Sequence, residues 1–588
     1  MKRAKVKRRA SSRFLPATRD EMIKRGWDRP DIVLVTGDAY VDHPSFGIAL
    51  IGRWLEAHGY RVAVLAQPRH QNEEDFRRFG KPRLFFGISS GNLDSIVSNY
   101  TGNARIRLRD AYSPEGNPYF PGPRTKINRR RPDRAVIVYA NLARRAYPDV
   151  PIVLGGIEAS LRRFIHYDYQ QEKLRGSILT DSKADILVYG MGELACLEIA
   201  SRLQKGRDLL HIPGTCTRHR PGDIKAECRF LPGWEEVTAD TTSFLKAELE
   251  IDKVARTGEA ICLAQVQKGG MVVVQNRPSH PLSTKELDFL YELPFTRLPH
   301  PSFGRIPAWE MIKDSVTAVR GCFGNCSFCA IARHQGPVVT SRSVDSVCRE
   351  LDNLAKCSFF KGTITDLGGP TANLFGVSCA VGMKCMKKDC LFPKICTNLK
   401  LNEKAMRNLL KTASNRPYVQ RLFISSGLRM ELLLKTPKLL KDILEKHTPG
   451  TLKIAPEHTE EEVLYLMHKP GAIVLEDFLV TTRNLLKKLG KRPNITAYFM
   501  TSHPGCTIAH MNAMKKKLTN LRLPVRQFQD FTPTPGTIST AMYVTGLDRY
   551  HQNPIFVARK RRDRISQRRI LESLMRKRND DTKPDMQS

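Results

Sequence analysis

The chain has 588 residues, 41% of them hydrophobic and 26% charged, with 95 Lys and Arg against 59 Asp and Glu for a formal charge of +36. That length exceeds one ordinary core and predicts two or three domains. The hydrophobic content excludes a disordered chain, and no apolar run approaches the ~18 residues of a membrane span. The positive field suits a polyanion, nucleic acid first, although a solvated basic surface carries the same signature.

A basic segment, residues 1–30, opens the chain; Met1 to Arg13 is cationic without the apolar stretch of a secretory signal, so a cytoplasmic protein with no membrane attachment is expected, a transit peptide being the alternative. Residues 31–204 then alternate strand and helix. Asp31–Gly37, Arg61–Ala66, Arg83–Ile88, Pro151–Gly156 and Asp185–Glu193 read as buried strands, several ending in glycine turns. Helical patterns lie between them, one with Ile48, Leu50, Ile51, Trp54 and Leu55 apolar, and one over Ala135 to Tyr147; Asn72 is a candidate cap for a short helix to Phe79. This alternation predicts an α/β unit, a Rossmann-like parallel sheet with helices on both faces. A Pro- and Tyr-rich loop, residues 110–134, ending in Arg129-Arg130-Arg131, interrupts it and either covers a site or is merely exposed. Residues 205–300 are less regular and read as a linking segment holding a hairpin, Ala260 to Val266 with Met271 to Gln275; Cys216, Cys228 and Cys262 in it are isolated and structural.

Fourteen cysteines without an export signal argue against a disulfide framework, and seven of them fall in two dense groups between Cys322 and Cys396, a pattern of metal ligation in a reducing compartment. The first group, Gly321-Cys322-Phe323-Gly324-Asn325-Cys326-Ser327-Phe328-Cys329, has the spacing C-x3-C-x2-C. Three thiolates this close can take three irons of one iron–sulfur cluster and leave a fourth iron open; the same thiolates suit zinc. An apolar run from Ser315 to Val319 feeds the loop, and a Ser343-capped helix over Asp345 to Leu354 follows.

That arrangement resembles the radical SAM superfamily. The resemblance implies a [4Fe–4S] cluster on Cys322, Cys326 and Cys329, S-adenosylmethionine (SAM) on the open iron, Phe328 beside the adenine, and a partial (β/α) barrel over residues 301–545. It further implies a cobalamin-binding-type Rossmann domain at the N-terminus. The signature Asp-x-His-x-x-Gly is not met by Asp42-His43-Pro44-Ser45-Phe46-Gly47, so His43 is read as a loop histidine and cobalamin as unlikely. In the barrel, Gly368 and Gly369 match a Gly-Gly-Glu-like turn that meets the SAM ammonium, with Pro370 in place of the acid and Thr371 and Asn373 as helpers. Ser426 and Arg429 are candidates for the SAM ribose and carboxylate, an exposed Arg at a helix start being the alternative for Arg429. Glu457, His458 and His503 are placed to contact SAM or substrate, and Thr459 to cap the next helix.

The match is closer still. Asp38 to Gly47, Gly155 to Arg163, His166 to Tyr169, Asp366 to Asn373 and Asp530 to Pro535 are similar to the YgiQ family of radical SAM proteins, over roughly residues 13 to 575. The resemblance implies reductive cleavage of SAM to a 5′-deoxyadenosyl radical, with an electron donor of flavodoxin or ferredoxin type and a substrate it does not name. Modification of RNA, by methylation or sulfur insertion, is the second reading; a metal-bearing nucleic-acid-binding protein without catalysis is the third.

The second cysteine group, Cys379, Cys385, Cys390 and Cys396, lies in an insertion at 376–400 at C-x5-C-x4-C-x5-C, flanked by Lys384, Lys387, Lys388 and Lys394. Four thiolates can hold a second cluster, a rubredoxin-like iron or a zinc; reduced structural thiols are the alternative. Residues 546–588 form a basic tail, with Ile565, Ile570, Leu571 and Leu574 at near-helical spacing: an amphipathic helix packed on the domain, or an RNA contact.

Overall fold

The computed structural model describes residues 13–224, 228–257, 261–382, 385–387, 389–491 and 494–580. The start of the predicted hairpin at Ala260, residues 1–12 of the basic segment at the N-terminus, and Lys384 and Lys388 lie outside them. The chain divides into two compact units: Met1–Lys313 with Arg333–Gln335, and Asp314–Ala332 with Gly336–Ser588.

The first unit is built on one nine-stranded sheet. Its strands are β1 (Ile32–Thr36), β2 (Val62–Ala66), β3 (Phe85–Ile88), β4 (Ile152–Leu154), β5 (Ile186–Val188), β6 (Thr215–His219), β7 (Cys228–Leu231), β8 (Cys262–Val266) and β9 (Val272–Gln275). They lie in the order β2-β1-β3-β4-β5-β6-β9-β8-β7. The first five are parallel, as the alternation predicts, and β1, β2, β4 and β5 are buried along their whole length. Helices Gly47–Ala57, Ala135–Ala146 and Glu193–Gln204 accompany them. The Asn72 segment is only a 3-10 turn, Glu74–Arg77.

Residues 205–300 are not a linker. β6 joins β5 antiparallel through Leu187↔Cys216, β9 joins β6, and the β8–β9 hairpin carries β7 parallel at the edge. In that last pair Cys228 lies opposite Cys262, and the two form a disulfide, which corrects the reading of both as isolated thiols.

The second unit is a partial parallel barrel. Its strands are β10 (Ser315–Thr317), β11 (Thr363–Ile364), β12 (Asp366–Gly368), β13 (Arg421–Leu422), β14 (Leu452–Glu457), β15 (Ile495–Thr501) and β16 (Val525–Asp530). β10 pairs with β12, β11 with β13, and β14–β15–β16 form one parallel sheet, while a parallel bridge, Leu428↔Ile454, ties the Ser425–Arg429 turn to β14. Ser343 caps Val344–Leu354 by accepting from Ser346 N. Thr459 caps nothing: its hydroxyl donates to the Glu460 carboxylate, and the helix Glu461–Leu466 starts on Glu460 without a side-chain cap. The basic tail is a helix, Arg561–Asp580, packed on the barrel: Leu571 is buried, Gln567 donates to Cys506 O and accepts from Ser502 N, and Arg568 meets Asp530 at 3.0 Å. Among the described residues no helix is long and apolar enough to cross a membrane.

Candidate functional site

The triple-cysteine loop leaves the barrel just after β10. Val319–Arg320 pairs antiparallel with Thr340–Ser341, and the loop bulges between them. Its middle is anchored by Ser327, a residue that sequence reasoning passed over. Ser327 N donates to Met467 O at 2.9 Å, Ser327 O accepts from Ser539 N at 2.9 Å, and Ser327 Oγ accepts from Arg549 Nη1 at 2.9 Å. These partners lie 140 to 222 residues away, so no local pattern announces them.

Polar groups are aimed at the sulfurs. Gly324 N lies 3.3 Å from Cys322 Sγ, Thr371 Oγ1 lies 3.8 Å from the same sulfur, and Arg429 Nη2 lies 3.4 Å from Cys326 Sγ. Two of the three sulfurs thus have polar or positively charged groups beside them. At Cys329, desolvation first, then the charge of Cys326, pushes the thiol up to about 12. A metal bound there would have to displace that proton. Among the described residues, no three His, Cys, Asp or Glu could hold a metal ion. A tetrahedral zinc needs its sulfurs to converge within ~2.3 Å of one point. A cubane needs no such convergence, because each thiolate takes its own iron. Three thiolates on one short loop, with polar groups aimed at two of them, fit a cluster.

The predicted cofactor contacts separate into two classes. Thr371 and Arg429 line a cavity of about 140 Å³ together with Pro370, Glu431, His458 and Lys469. Arg429 is not an exposed arginine: it is clamped, with Nη1 on Glu431 Oε1 at 2.8 Å and Nη2 on Cys326. Asn373 holds its backbone from both sides, Oδ1 accepting from Arg429 N at 3.1 Å and Nδ2 donating to Arg429 O at 3.0 Å. The remaining candidates build walls. Ser426 is engaged by Asp366, whose carboxylate takes both its hydroxyl proton and its N–H, so a ribose would find only acceptors there. Gly368 and Gly369 let backbones touch: a Cβ on Gly368 would stand 2.5 Å from Ser426 Oγ, and one on Gly369 2.3 Å from Val319 O.

His503 is a satisfied histidine, buried, with its nitrogens on Pro504 O and Ser539 Oγ and its pKa pushed down by burial to about 3. Its ring meets Phe328 edge-on at 6.3 Å. His458 is likewise pushed down to about 3 by burial, and its Nε2 lies 3.5 Å from Cys506 Sγ. Glu457 differs: buried, with φ +69 and no hydrogen-bond partner for Oε2, its carboxyl is pushed up to about 7 by burial, tempered by Lys469.

The second cysteine group is brought together. Cys379 pairs with Leu399, Leu399 N donates to Cys396 O at 3.0 Å, and Cys396 N donates to Cys390 O at 2.8 Å. Burial, then the charges of Cys379, Cys396 and Cys385, push the Cys390 thiol up to about 12. Cys322, Phe323, Cys390, Cys379 and Cys396 all belong to one apolar cluster.

In the first unit, the strings that carried the family resemblance form buried ion pairs at the strand ends. Asp38 takes Arg131 at 2.5 Å, Arg131 also reaches Asp110 at 3.2 Å, Asp42 takes Arg53, and Arg162 binds Asp94 at 2.6 Å. The 110–134 loop is thus fastened over β1 and β3, with Arg131 Nε on Ser90 O. His43 is buried, its Nδ1 accepting from Ser45 N and its Nε2 without a hydrogen-bond partner.

A family model described as Radical SAM N-terminal matches residues 14–315. A UPF0313 protein of Methanosarcina acetivorans is 44% identical over 595 residues, covering 95% of this chain and 78% of its own. One of Geobacter sulfurreducens is 45% identical over 566 residues (95% and 92%), and one of Thermotoga maritima 45% over 560 (93% and 96%). Two solved structures are similar in fold. TsrM from Kitasatospora setae, a radical S-adenosylmethionine methyltransferase with cobalamin and a [4Fe-4S] cluster bound, gives a TM-score of 0.48 at 15% identity over 86% of this chain and 76% of its own. OxsB, a cobalamin-dependent S-adenosylmethionine radical enzyme with aqua-cobalamin bound, gives 0.46 at 12% over 96% and 64%. The expectation that cobalamin is unlikely is withdrawn in the face of these two cobalamin-bearing structures, and no ligand is thereby assigned to this chain. With three relatives above 40% identity along nearly its whole length, the chain belongs to the UPF0313 family, the one also called YgiQ, and with it to the radical SAM superfamily.

Proposed function

We propose that the protein is a radical SAM enzyme whose Cys322, Cys326 and Cys329 hold a [4Fe–4S] cluster. When bound, that cluster supplies the electron that cleaves SAM to methionine and a 5′-deoxyadenosyl radical, which takes a hydrogen atom from a substrate yet to be identified. The observation that carries the reading is the aim of Gly324 N–H, Thr371 and Arg429 at the sulfurs of one loop, beside the cavity lined by Thr371 and Arg429.

The chain's own groups divide the remaining work. Ser327 fixes the loop through three partners, and Asn373 sets the backbone of Arg429. Arg429 brings a fixed positive charge to the sulfur edge, which would favour the reduced state of a cluster held there. Lys469, with Nζ on Ala455 O, adds a second cation at the cavity for a carboxylate. Glu457, protonated up to about pH 7, can donate a hydrogen bond from within the barrel. Pro370 has no N–H and no charge, so a SAM ammonium there would be met by backbone carbonyls. The partner required is a one-electron donor of flavodoxin or ferredoxin type.

The test is anaerobic reconstitution, reduction with dithionite and assay for 5′-deoxyadenosine, beside Cys326→Ala. Formation of 5′-deoxyadenosine that disappears in the variant supports the reading. A protein that loads iron and leaves SAM intact, with or without cell extract, overturns it.

A further inference from the structure

Residues 376–400 carry the second cysteine group. Their regular structure among the described residues is one two-residue pairing, Ser378–Cys379 with Leu399–Lys400. Val381 and Met386 are exposed, and Val377, Cys390, Leu391 and Leu399 are buried. A loop with so little regular structure among its described residues is suited to an internal staple. All four of its cysteines are free, so no disulfide provides one.

The loop nevertheless has a defined course. The backbone bonds from Cys379 through Leu399 and Cys396 to Cys390 draw three sulfur-bearing residues to one end, and Cys385 sits on a turn closed by its N–H to Gly382 O. The loop is docked by Asp389, 3.0 Å from His468 Nε2, and by Phe392, whose ring centroid lies 3.9 Å from that of the same histidine. Met467, next to His468, accepts from Ser327 N in the first cysteine loop. One short turn therefore braces both cysteine groups.

We propose that Cys379, Cys385, Cys390 and Cys396 hold a second iron–sulfur cluster, ligated at every corner by a protein thiolate and so closed to SAM. A single zinc or iron bound by the same four thiolates is the competing occupant, and the test below offers it. Four cysteines at x5, x4 and x5 spacing around a weakly structured loop suit the wider cubane. On assembly each thiol releases its proton to solvent as its sulfur takes an iron, and no oxidation of the protein is required.

Nothing in this assignment depends on what Cys322, Cys326 and Cys329 bind, and the test separates the two. The full chain carrying Cys322→Ala, Cys326→Ala and Cys329→Ala together is reconstituted anaerobically with iron, sulfide and zinc all offered. The expected result is about four irons and four sulfides per chain, with a reduced electron paramagnetic resonance signal that SAM does not change. Adding Cys390→Ser to that chain is expected to abolish the iron. Cys390 is buried and its loss can unseat the loop, so the half-buried Cys385 is replaced by Ser in parallel and is expected to lower the iron content or change the signal. A triple variant that binds no iron, one that takes one zinc per chain instead, or iron that survives both added substitutions unchanged overturns the proposal.

Discussion

Gly324 and Arg429 are fitted to each other: a Cβ on Gly324 would stand 1.6 Å from Arg429 Nη2, the nitrogen that lies 3.4 Å from Cys326 Sγ. The glycine is there for space, since its neighbourhood and not its φ is what forbids a side chain. Gly324→Ala should therefore push the guanidinium off the sulfur while leaving the three cysteines in place. The expected outcome is full iron loading with 5′-deoxyadenosine formation reduced on the order of 100-fold, the scale of a misplacement near the reacting centre. Iron analysis and product chromatography on the same sample check it; wild-type turnover would mean that Arg429 takes no part.

Asn373 acts on the same arginine through the backbone. Asn373→Ala removes both of its hydrogen bonds to Arg429 and leaves the Arg429 N–H unpaired, while the Arg429 C=O keeps Leu433 N, a loss of about 1–3 kcal/mol. Asn373→Asp keeps the acceptor for Arg429 N and loses the donor to Arg429 O, so it should fall between wild type and Ala. Thermal unfolding of the three proteins ranks them, and SAM cleavage should follow the same order.

Much of this architecture is legible in the residues. The parallel strands are continuous apolar runs, and three cysteines in eight residues announce the loop. What is not legible depends on contacts far apart in sequence. β6 and β7 escaped because they are short and half polar, and the place of the predicted β8–β9 hairpin in the sheet escaped because it rests on pairings such as Leu187↔Cys216 and Val274↔Thr217. The Cys228–Cys262 bond follows from strand register, which neither cysteine's neighbours reveal. The clamp on Arg429 spans 103 residues to Cys326, and His503 reads as a candidate until Ser539 takes its free nitrogen. The strings Asp38 to Gly47 and Gly155 to Arg163 identify the family, yet Asp38, Asp42, Glu158 and Arg162 are spent on buried hydrogen bonds and ion pairs that hold the first unit together.

Glu457 gives the second unit a pH dependence of a definite sign. Folded, its carboxyl keeps a proton to about 7; unfolded, it releases it near the ordinary 4.5. Between those values the folded chain binds more protons, so stability falls as pH rises through the window and levels off above it, by on the order of 3 kcal/mol in all. Glu457→Gln should be flatter than wild type from pH 5 to pH 8. The difference between the two melting curves is the quantity to follow, because Asp38, also raised, contributes a slope of the same sign to both proteins. Parallel curves would show that the buried carboxyl is solvated in solution.

Arg131 is the keystone of the strand-end cluster, and its removal should be worse than removal of either carboxylate. It is buried and faces both Asp38 and Asp110. Arg131→Met leaves two buried carboxyls with no cation between them, a destabilisation of about 3–5 kcal/mol at neutral pH. Asp38 is already raised to about 6, burial first and Asp110 second, with Arg131 holding it down. Without the arginine Asp38 should take up its proton more readily, so acid partly rescues the variant: its melting temperature should lie closer to wild type at pH 5 than at pH 8. Asp38→Asn, by contrast, keeps an acceptor for Asn92 N and leaves Arg131 paired to Asp110. It should lose less than Arg131→Met, with no acid rescue. Equal losses in the two variants at every pH would mean that the cluster is held by packing and not by charge.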